Sequence, residues 1–69
     1  MQWYVVDLGS ERWKAAPTLS DLADTIRDCP PGRYEITEVT QHTPFEVESR
    51  LWGTAERFED GTVIFTPAS

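Results

Sequence analysis

The stretch TLSDLADTIRDC, residues Thr18 to Cys29, has the pattern of an amphipathic helix. Four apolar residues recur at the i, i+3, i+4, i+7 spacing that places them on one stripe: Leu19, Leu22, Ala23 and Ile26. Thr18, with Asp21 three residues later, resembles a capping box in which Asp replaces Glu or Gln. The prolines and glycine at 30–32 end the helix. Because the apolar stripe needs a surface to cover, the remaining segments are predicted to form a sheet beneath it.

The composition is that of one small folded domain. The chain has 69 residues, and its eight aromatic side chains favour a packed core over disorder. One cysteine and one histidine exclude an internal disulfide and a four-ligand structural zinc site. The N-terminal residues have neither a basic region nor a long apolar run, so we expect no signal peptide and no membrane span. We therefore expect a cytoplasmic protein.

The charge balance is acidic. Twelve Asp and Glu against six Lys and Arg give a net charge of −6, and residues 21–48 alone, with seven acidic residues and two arginines, carry −5 of it. The basic residues are too few and too scattered to form the stripe that DNA and RNA binders use. Direct binding to nucleic acid is therefore not expected.

Two strands precede the helix. Residues 2–7 are rich in aromatic and β-branched side chains, and Gly9-Ser10 predicts a type II′ turn into a second strand. This turn would place Asp7 opposite Arg12. One face would carry Tyr4, Val6, Trp13 and Ala15, and the other Trp3, Val5, Arg12 and Lys14.

Three strands follow the helix. Residues 33–40 and 45–58 are predicted as the third and fourth strands, joined by a loop at 41–44, and placing Glu35 opposite Arg50 satisfies charge and apolar pairing. The side chains predicted to face the helix are Tyr34, Ile36, Val47 and Leu51. Those predicted to face away include Glu35, Val39, Glu46, Glu48, Arg50 and Trp52.

The last hairpin centres on Asp60-Gly61, for which we predict a type I′ turn into a fifth strand at 62–66. Simple alternation would expose three apolar residues of this hairpin: Phe58, Val63 and Phe65. One extra residue near Gly53 would return them to the core, so a β-bulge is predicted there.

These elements predict an α+β fold of order ββαβββ. A helix crossover returns the chain parallel to the strand that it left, so the third strand can lie beside the first. The simplest sheet is antiparallel with strand order 2-1-3-4-5, covered by the helix on one face and open on the other.

No motif predicts catalysis, a metal site or a cofactor. Cys29 and His42 could be a nucleophile and its base, but nothing around them supplies the orienting group that such chemistry needs. Glu46 and Glu48 lie on one side of a strand without further ligands. We expect a protein that is not an enzyme and holds no cofactor.

Two surfaces could bind a partner. The open sheet face is predicted to carry Trp3, Val5, Val39 and Trp52, rimmed by Arg12, Lys14, Arg50, Glu46 and Glu48. The acidic surface comprises Asp21, Asp24 and Asp28 on the helix, with Glu35. Each surface also has a purely structural interpretation. The acidic helix face could simply be solvated, and a loop or the C-terminal tail could cover the tryptophans of the sheet.

The leading hypothesis is a small acidic protein that binds another protein through the open face, with its negative charge as a steering field. The first alternative is a nucleic-acid mimic that blocks a DNA- or RNA-binding protein, as phage-encoded inhibitors such as anti-CRISPR proteins do; this analogy rests on size and charge. The second is a homodimer whose open faces pack together.

Overall fold

One helix packs on a five-stranded antiparallel sheet in the computed structural model, which describes residues 1–68. The elements are β1 Gln2–Gly9, β2 Arg12–Ala16, α1 Leu19–Arg27, β3 Gly32–Thr43, β4 Glu46–Arg57 and β5 Val63–Pro67. The strand order is β2-β1-β3-β4-β5 and every neighbouring pair is antiparallel. The α+β fold and the sheet order predicted from the sequence are confirmed.

The helix begins and ends inside the predicted segment. Thr18 is its N-cap, and the Thr18 hydroxyl oxygen accepts a hydrogen bond of 3.1 Å from the backbone N–H of Asp21. Asp28 is the C-cap residue. Within residues 1–68, no helix is long and apolar enough to cross a membrane.

The core lies between the apolar stripe of the helix and the sheet. Its fully buried large side chains are Leu22 and Ile26 of the helix and Val6 and Ile36 of the sheet. The helix contacts β1 and both edge strands, β2 and β5, so the sheet curves around it. A nine-residue helix spans about 14 Å, whereas the twelve-residue strands β3 and β4 span about 40 Å. The β3–β4 hairpin therefore extends well beyond the helix.

The β1–β2 turn differs from the prediction. Its central residues are Ser10 and Glu11, whose φ angles of 51° and 62° indicate a type I′ turn instead of a type II′ turn at Gly9-Ser10. The register also shifts between Asp7 and Gly9, so Leu8 is an extra residue in β1. The Asp7 carboxylate accepts a 2.8 Å hydrogen bond from the backbone N–H of Gly9 within this bulge.

This register shift of one residue exchanges the two faces of β2 relative to those of β1. Asp7 pairs with Trp13 instead of Arg12, and Val6 pairs with Lys14 instead of Trp13. Because side chains alternate along a strand, Trp13 and Ala15 lie on the open face. The predicted placement of Trp13 and Ala15 toward the helix, and of Lys14 away from it, is wrong.

The β3–β4 hairpin is longer than predicted. Strand β3 runs through Thr43, so the segment at 41–43 that was predicted as loop is strand. The Thr43 hydroxyl oxygen accepts hydrogen bonds from the backbone N–H groups of Phe45 and Glu46, at 3.2 and 3.0 Å, and closes the turn. Arg50 consequently pairs with Glu38, three residues from the predicted Glu35.

The predicted bulge near Gly53 is confirmed. Trp52 is an extra residue, because Ile36 pairs with Gly53 while the next β3 residue pairs with Leu51. A Cβ atom on Gly53 would lie 2.1 Å from the carbonyl oxygen of Thr66, so β5 can approach here only because this residue is glycine.

The bulge has the predicted effect on two of three side chains. Val63 and Phe65 pack against the core, whereas Phe58 is 39% exposed, so its predicted return to the core is wrong. Phe58 instead lies at the turn, where its carbonyl oxygen accepts from the Gly61 N–H at 3.0 Å.

The β4–β5 turn also departs from the predicted type I′. Gly61 has a positive φ of 93°, and Asp60 does not have a positive φ. The Phe58 N–H donates to the Thr62 carbonyl oxygen at 2.8 Å, so the loop contains three residues, a type I turn followed by a glycine. The Asp60 carboxylate accepts a 2.9 Å hydrogen bond from the Thr62 N–H, and this bond lowers the pKa of Asp60 below its usual 3.8.

Candidate protein-binding surface

The open face is the face of the sheet opposite the helix. It carries a group of apolar side chains from four strands. Three residues of this group were predicted there: Trp3, Val5 and Val39. The strand registers add Trp13 from β2 and Val47 and Leu51 from β4. The six residues share one face because each pairs with, or alternates in step with, another member of the group.

The six apolar side chains differ in solvent exposure. Trp3 pairs with Val39, and Val39 is buried although it is absent from the core beneath the helix. Three others are more than half exposed: Trp13 at 63%, Val47 at 55% and Leu51 at 52%. The open face therefore has a partly packed centre and large apolar side chains that contact solvent.

A shallow groove lies at the β1–β2 side of this face. Trp3, Val5 and Trp13 line it together with three charged residues: Asp7, Glu11 and Arg12. Apolar side chains bordered by charges of both signs can take up an apolar group of a partner while the border pairs with polar groups around it. Arg12 of the predicted rim lines this groove and also a groove beside Asp28 and Cys29 at the end of the helix, whereas Lys14 lies on the helix side.

Besides Lys14, four β4 residues predicted for the open face lie on the other side of the sheet. Trp52 packs edge-to-face between Tyr4 and Phe65, with ring centroids at 6.5 and 6.0 Å, and belongs to the margin of the core. Arg50, Glu48 and Glu46 alternate in step with Trp52. The physical reason is the register: β4 is displaced by three residues, and an odd displacement exchanges the two faces of a strand.

The same displacement explains what sequence reasoning missed. Val47 and Leu51 were predicted to face the helix, and they moved to the open face when Arg50 and Trp52 left it. Trp13 was missed because the bulge at Leu8 exchanges the two faces of β2. The sequence signal for this bulge was Asp7 two residues before Gly9, since an Asp side chain that accepts a hydrogen bond from the N–H two positions on is typical of such turns.

A polar groove lies on the helix side of the sheet, beyond the end of the helix. Glu38, 9% exposed, pairs with Arg50, whose Nε donates to the Glu38 carboxylate at 2.8 Å. His42 lies 3.5 Å from the Glu48 carboxylate in the same groove. The Arg50 contact offsets the cost of burying the Glu38 charge, so Glu38 and Arg50 have a structural role.

The predicted acidic surface is divided between the two sides of the molecule. Asp21, Asp24 and Asp28 are exposed on the helix, and Asp24 forms an ion pair with Arg27. Glu35 pairs with Thr54 on β4 and alternates to the open face. The sheet therefore separates Glu35, which was predicted to face away from the helix, from the three helix residues.

Cys29 and His42 do not meet. The Cys29 thiol lies 3.4 Å from the Thr25 carbonyl oxygen at the end of the helix, and His42 is in the distal part of the β3–β4 hairpin. The two side chains line different grooves. Among residues 1–68, no three His, Cys, Asp or Glu side chains are grouped so that they could hold a metal ion.

Comparison with family models, with curated proteins and with solved structures finds no match to this chain.

Proposed function

We propose that this chain is a non-catalytic protein-binding module that uses the open face. One observation carries the proposal: Trp13, Val47 and Leu51 are each more than half exposed on the same face of one sheet. Exposed apolar patches rimmed by polar groups mark interaction sites, and tryptophan is enriched among the residues that dominate binding energy. The proposed partner is a protein with a complementary apolar surface, met in the cytoplasm, where an unpaired cysteine such as Cys29 persists.

The charge of the chain suits this partner. A net charge of −6 would accelerate association with a basic surface and disfavour acidic ones. The nucleic-acid mimic receives less support, because the acidic residues of the helix and Glu35 lie on opposite sides of the sheet and Asp24 already pairs with Arg27. A mimic needs its charges on one surface.

The experiment compares proteins retained from an extract of the native host by the immobilised chain and by two variants. Trp13→Ala removes an exposed side chain of the open face, and Phe58→Ala is the control, because Phe58 is also an exposed aromatic but lies at the β4–β5 turn. We expect one or more proteins to be retained by wild type and by Phe58→Ala and lost by at least tenfold with Trp13→Ala.

Two results would contradict the proposal. The first is a retained set that does not change with Trp13→Ala or Leu51→Ala. The second is a set lost when Asp21, Asp24 and Asp28 are replaced by Asn and unaffected by the open-face variants, which would favour the mimic.

A further inference from the structure

Two tryptophans stand on opposite sides of the shallow groove on the open face. Val5 pairs with Ala15 between them, and Trp3 and Trp13 each lie two residues away, in opposite directions along the antiparallel strands β1 and β2. The register continues the row of Val5 through β3 to Leu51 on β4. The groove therefore runs across the strands, from β2 toward an exposed leucine.

The row of residues that contains Trp13 is acidic. Trp13 pairs with Asp7, and continuing the register in which Val6 pairs with Ile36 places Glu35 beside Asp7 on the open face. Asp7 and Glu35 also line one groove. Adjacent strands lie about 4.8 Å apart, so the Cα atoms of Trp13, Asp7 and Glu35 span about 10 Å in one line across three strands.

The carboxylates of this region have no cationic partner within the described chain. The salt bridges among residues 1–68 do not include Asp7, Glu35 or Glu11, which also lines the tryptophan groove. One oxygen of Asp7 accepts the backbone hydrogen bond of the β1 bulge, and its other oxygen accepts none from residues 1–68. Carboxylate oxygens are therefore available to donors of a partner.

The two basic residues nearby do not neutralise these carboxylates. Arg33 lines the same groove as Asp7, and its Nη2 lies 3.6 Å from Oε1 of Glu56, with which it forms an ion pair. Arg12 lines the tryptophan groove and extends to the end of the helix, where it lines a second groove with Asp28. With the Arg33–Glu56 pair counted as neutral, three carboxylates remain against one guanidinium, and this end of the open face is negative.

The ring of Trp13 is accessible to a cation. Its side chain is 63% exposed, and the aromatic pairs within residues 1–68 join only Tyr4, Trp52 and Phe65 on the helix side of the sheet. Tryptophan attracts a cation over its ring face more strongly than the other aromatic side chains do. A neighbouring carboxylate adds to this attraction, and Asp7 is the cross-strand partner of Trp13.

The rest of the open face is uncharged toward the β3–β4 turn. The registers place there Trp3, Val39, Gln41, Val47, Ser49 and Leu51. Apolar groups of a partner can be buried against this half of the face without leaving a charge unpaired. The open face therefore has one apolar half and one acidic end, and a matching partner must be apolar in one part and basic in the other.

We propose that the protein partner of the open face presents an arginine to the row of Trp13, Asp7 and Glu35, with apolar side chains along the groove toward Leu51. The guanidinium stacks on the Trp13 ring and donates to the two carboxylates. Arginine fits better than lysine because its planar, weakly hydrated group stacks on aromatic rings and donates to carboxylates in a fixed geometry. This proposal rests on the proposed function, since it gives the chemistry of the partner at the same face.

A series of three peptides tests the chemistry of the row. The probe is acetyl-Leu-Ala-Arg-amide, and its controls carry lysine or citrulline, the uncharged analogue of arginine, in place of the arginine. Binding is followed by NMR from the indole N–H signals of the three tryptophans, with Trp13→Phe to identify one of them. We expect the arginine peptide to shift the Trp13 signal with a millimolar dissociation constant, and the citrulline peptide to bind about tenfold more weakly or less. The lysine peptide should bind with intermediate affinity.

Two doubly neutralised variants localise the charge that is recognised. Asp7→Asn with Glu35→Gln removes both carboxylates of the row, and the Asn oxygen still accepts the hydrogen bond of the bulge. Asp21→Asn with Glu46→Gln is the matched control, because it changes the net charge equally at exposed residues on the helix side of the sheet. We expect the first pair to weaken the arginine peptide about tenfold or more, and the control pair to change its affinity by less than about twofold.

Four results with the peptides would overturn the proposal. The first is an arginine peptide that leaves the Trp13 signal unshifted at millimolar concentration. The second and third are citrulline or lysine peptides that bind as tightly as the arginine peptide. The fourth is an equal loss of affinity in the two doubly neutralised variants, which would mean that only the net charge of the chain matters.

Failure of this proposal is distinguishable from failure of the proposed function. If a protein is retained by the immobilised chain, lost with Trp13→Ala and unaffected by Asp7→Asn with Glu35→Gln, the open face binds a partner but not through an arginine, and only this proposal is overturned. If retention does not change with Trp13→Ala, the proposed function fails, and the assignment of the arginine to a partner of this face fails with it.

Discussion

Replacing Trp52 with alanine tests the corrected register of β4 most directly. On the helix side of the sheet, the Trp52 ring contacts Tyr4 and Phe65 at nearly perpendicular angles of 87° and 86°. Had β4 kept the predicted register, Trp52 would lie on the open face and contact neither of these rings. The two placements predict different losses of stability.

The magnitude follows from these contacts. Core Trp→Ala replacements cost about 3–5 kcal/mol, and each edge-to-face aromatic pair contributes about 0.5–1.5 kcal/mol beyond its buried area. Because Trp52 is half-buried, we expect the lower end, about 3 kcal/mol. At about 4–8 °C per kcal/mol for a domain of this size, the Tm should fall by about 12–24 °C. Total stability for 69 residues is about 3–10 kcal/mol, so this loss is a large fraction of it.

The assay is thermal and urea unfolding followed by circular dichroism, with Trp13→Ala as the matched control. Trp13 is 63% exposed, so its removal should change the free energy of unfolding by no more than about 0.5 kcal/mol. A Trp52→Ala protein that loses less than about 1 kcal/mol, the ordinary effect of a point mutation, would refute the placement of Trp52 against the core. So would a Trp13→Ala protein that is the less stable of the two.

Three further changes test the fold. Leu22→Ala deletes a fully buried side chain and should cost about 2–5 kcal/mol, measured as a lower urea midpoint; an unchanged midpoint would mean that the helix is not docked. Replacing Ser10-Glu11 with Asn-Gly should raise the Tm by about 4–8 °C, because both residues have positive φ, which Asn and Gly tolerate better; no gain would argue against the type I′ turn. The pKa of Asp60 is lowered by the Thr62 N–H, so its ionised form stabilises the fold above the unfolded pKa of about 3.9 and this contribution is lost as pH falls through the lower, folded pKa. The stability difference between wild type and Asp60→Ala should therefore shrink between pH 5 and strongly acidic solution, and a difference that does not depend on pH would contradict the Asp60 hydrogen bond.

Much of the fold could be predicted because several local signals agree. The helix has a stripe, a cap and a proline stop, and these three features fix its extent to within two residues. The sheet order followed from the crossover rule and from one helix between two groups of strands. The Gly53 bulge was predictable because Phe58, Val63 and Phe65 could not all be exposed at once, although Phe58 stayed at the surface.

The candidate site was harder to predict because its residues depend on strand register. A register shift by an odd number of residues moves every side chain of a strand to the other face of the sheet. One extra residue at Leu8 exchanges the two faces of β2. A register displacement of three residues exchanges the two faces of β4 up to its bulge. Neither the β1–β2 turn nor the β3–β4 turn was predicted correctly, although Asp7 two residues before Gly9 was a signal for the first. Thr43 continues β3 into what resembled a loop, and two residues without the usual preference for positive φ form the β1–β2 turn. Charge pairing was also misleading, because Arg50 finds an acidic partner in either register.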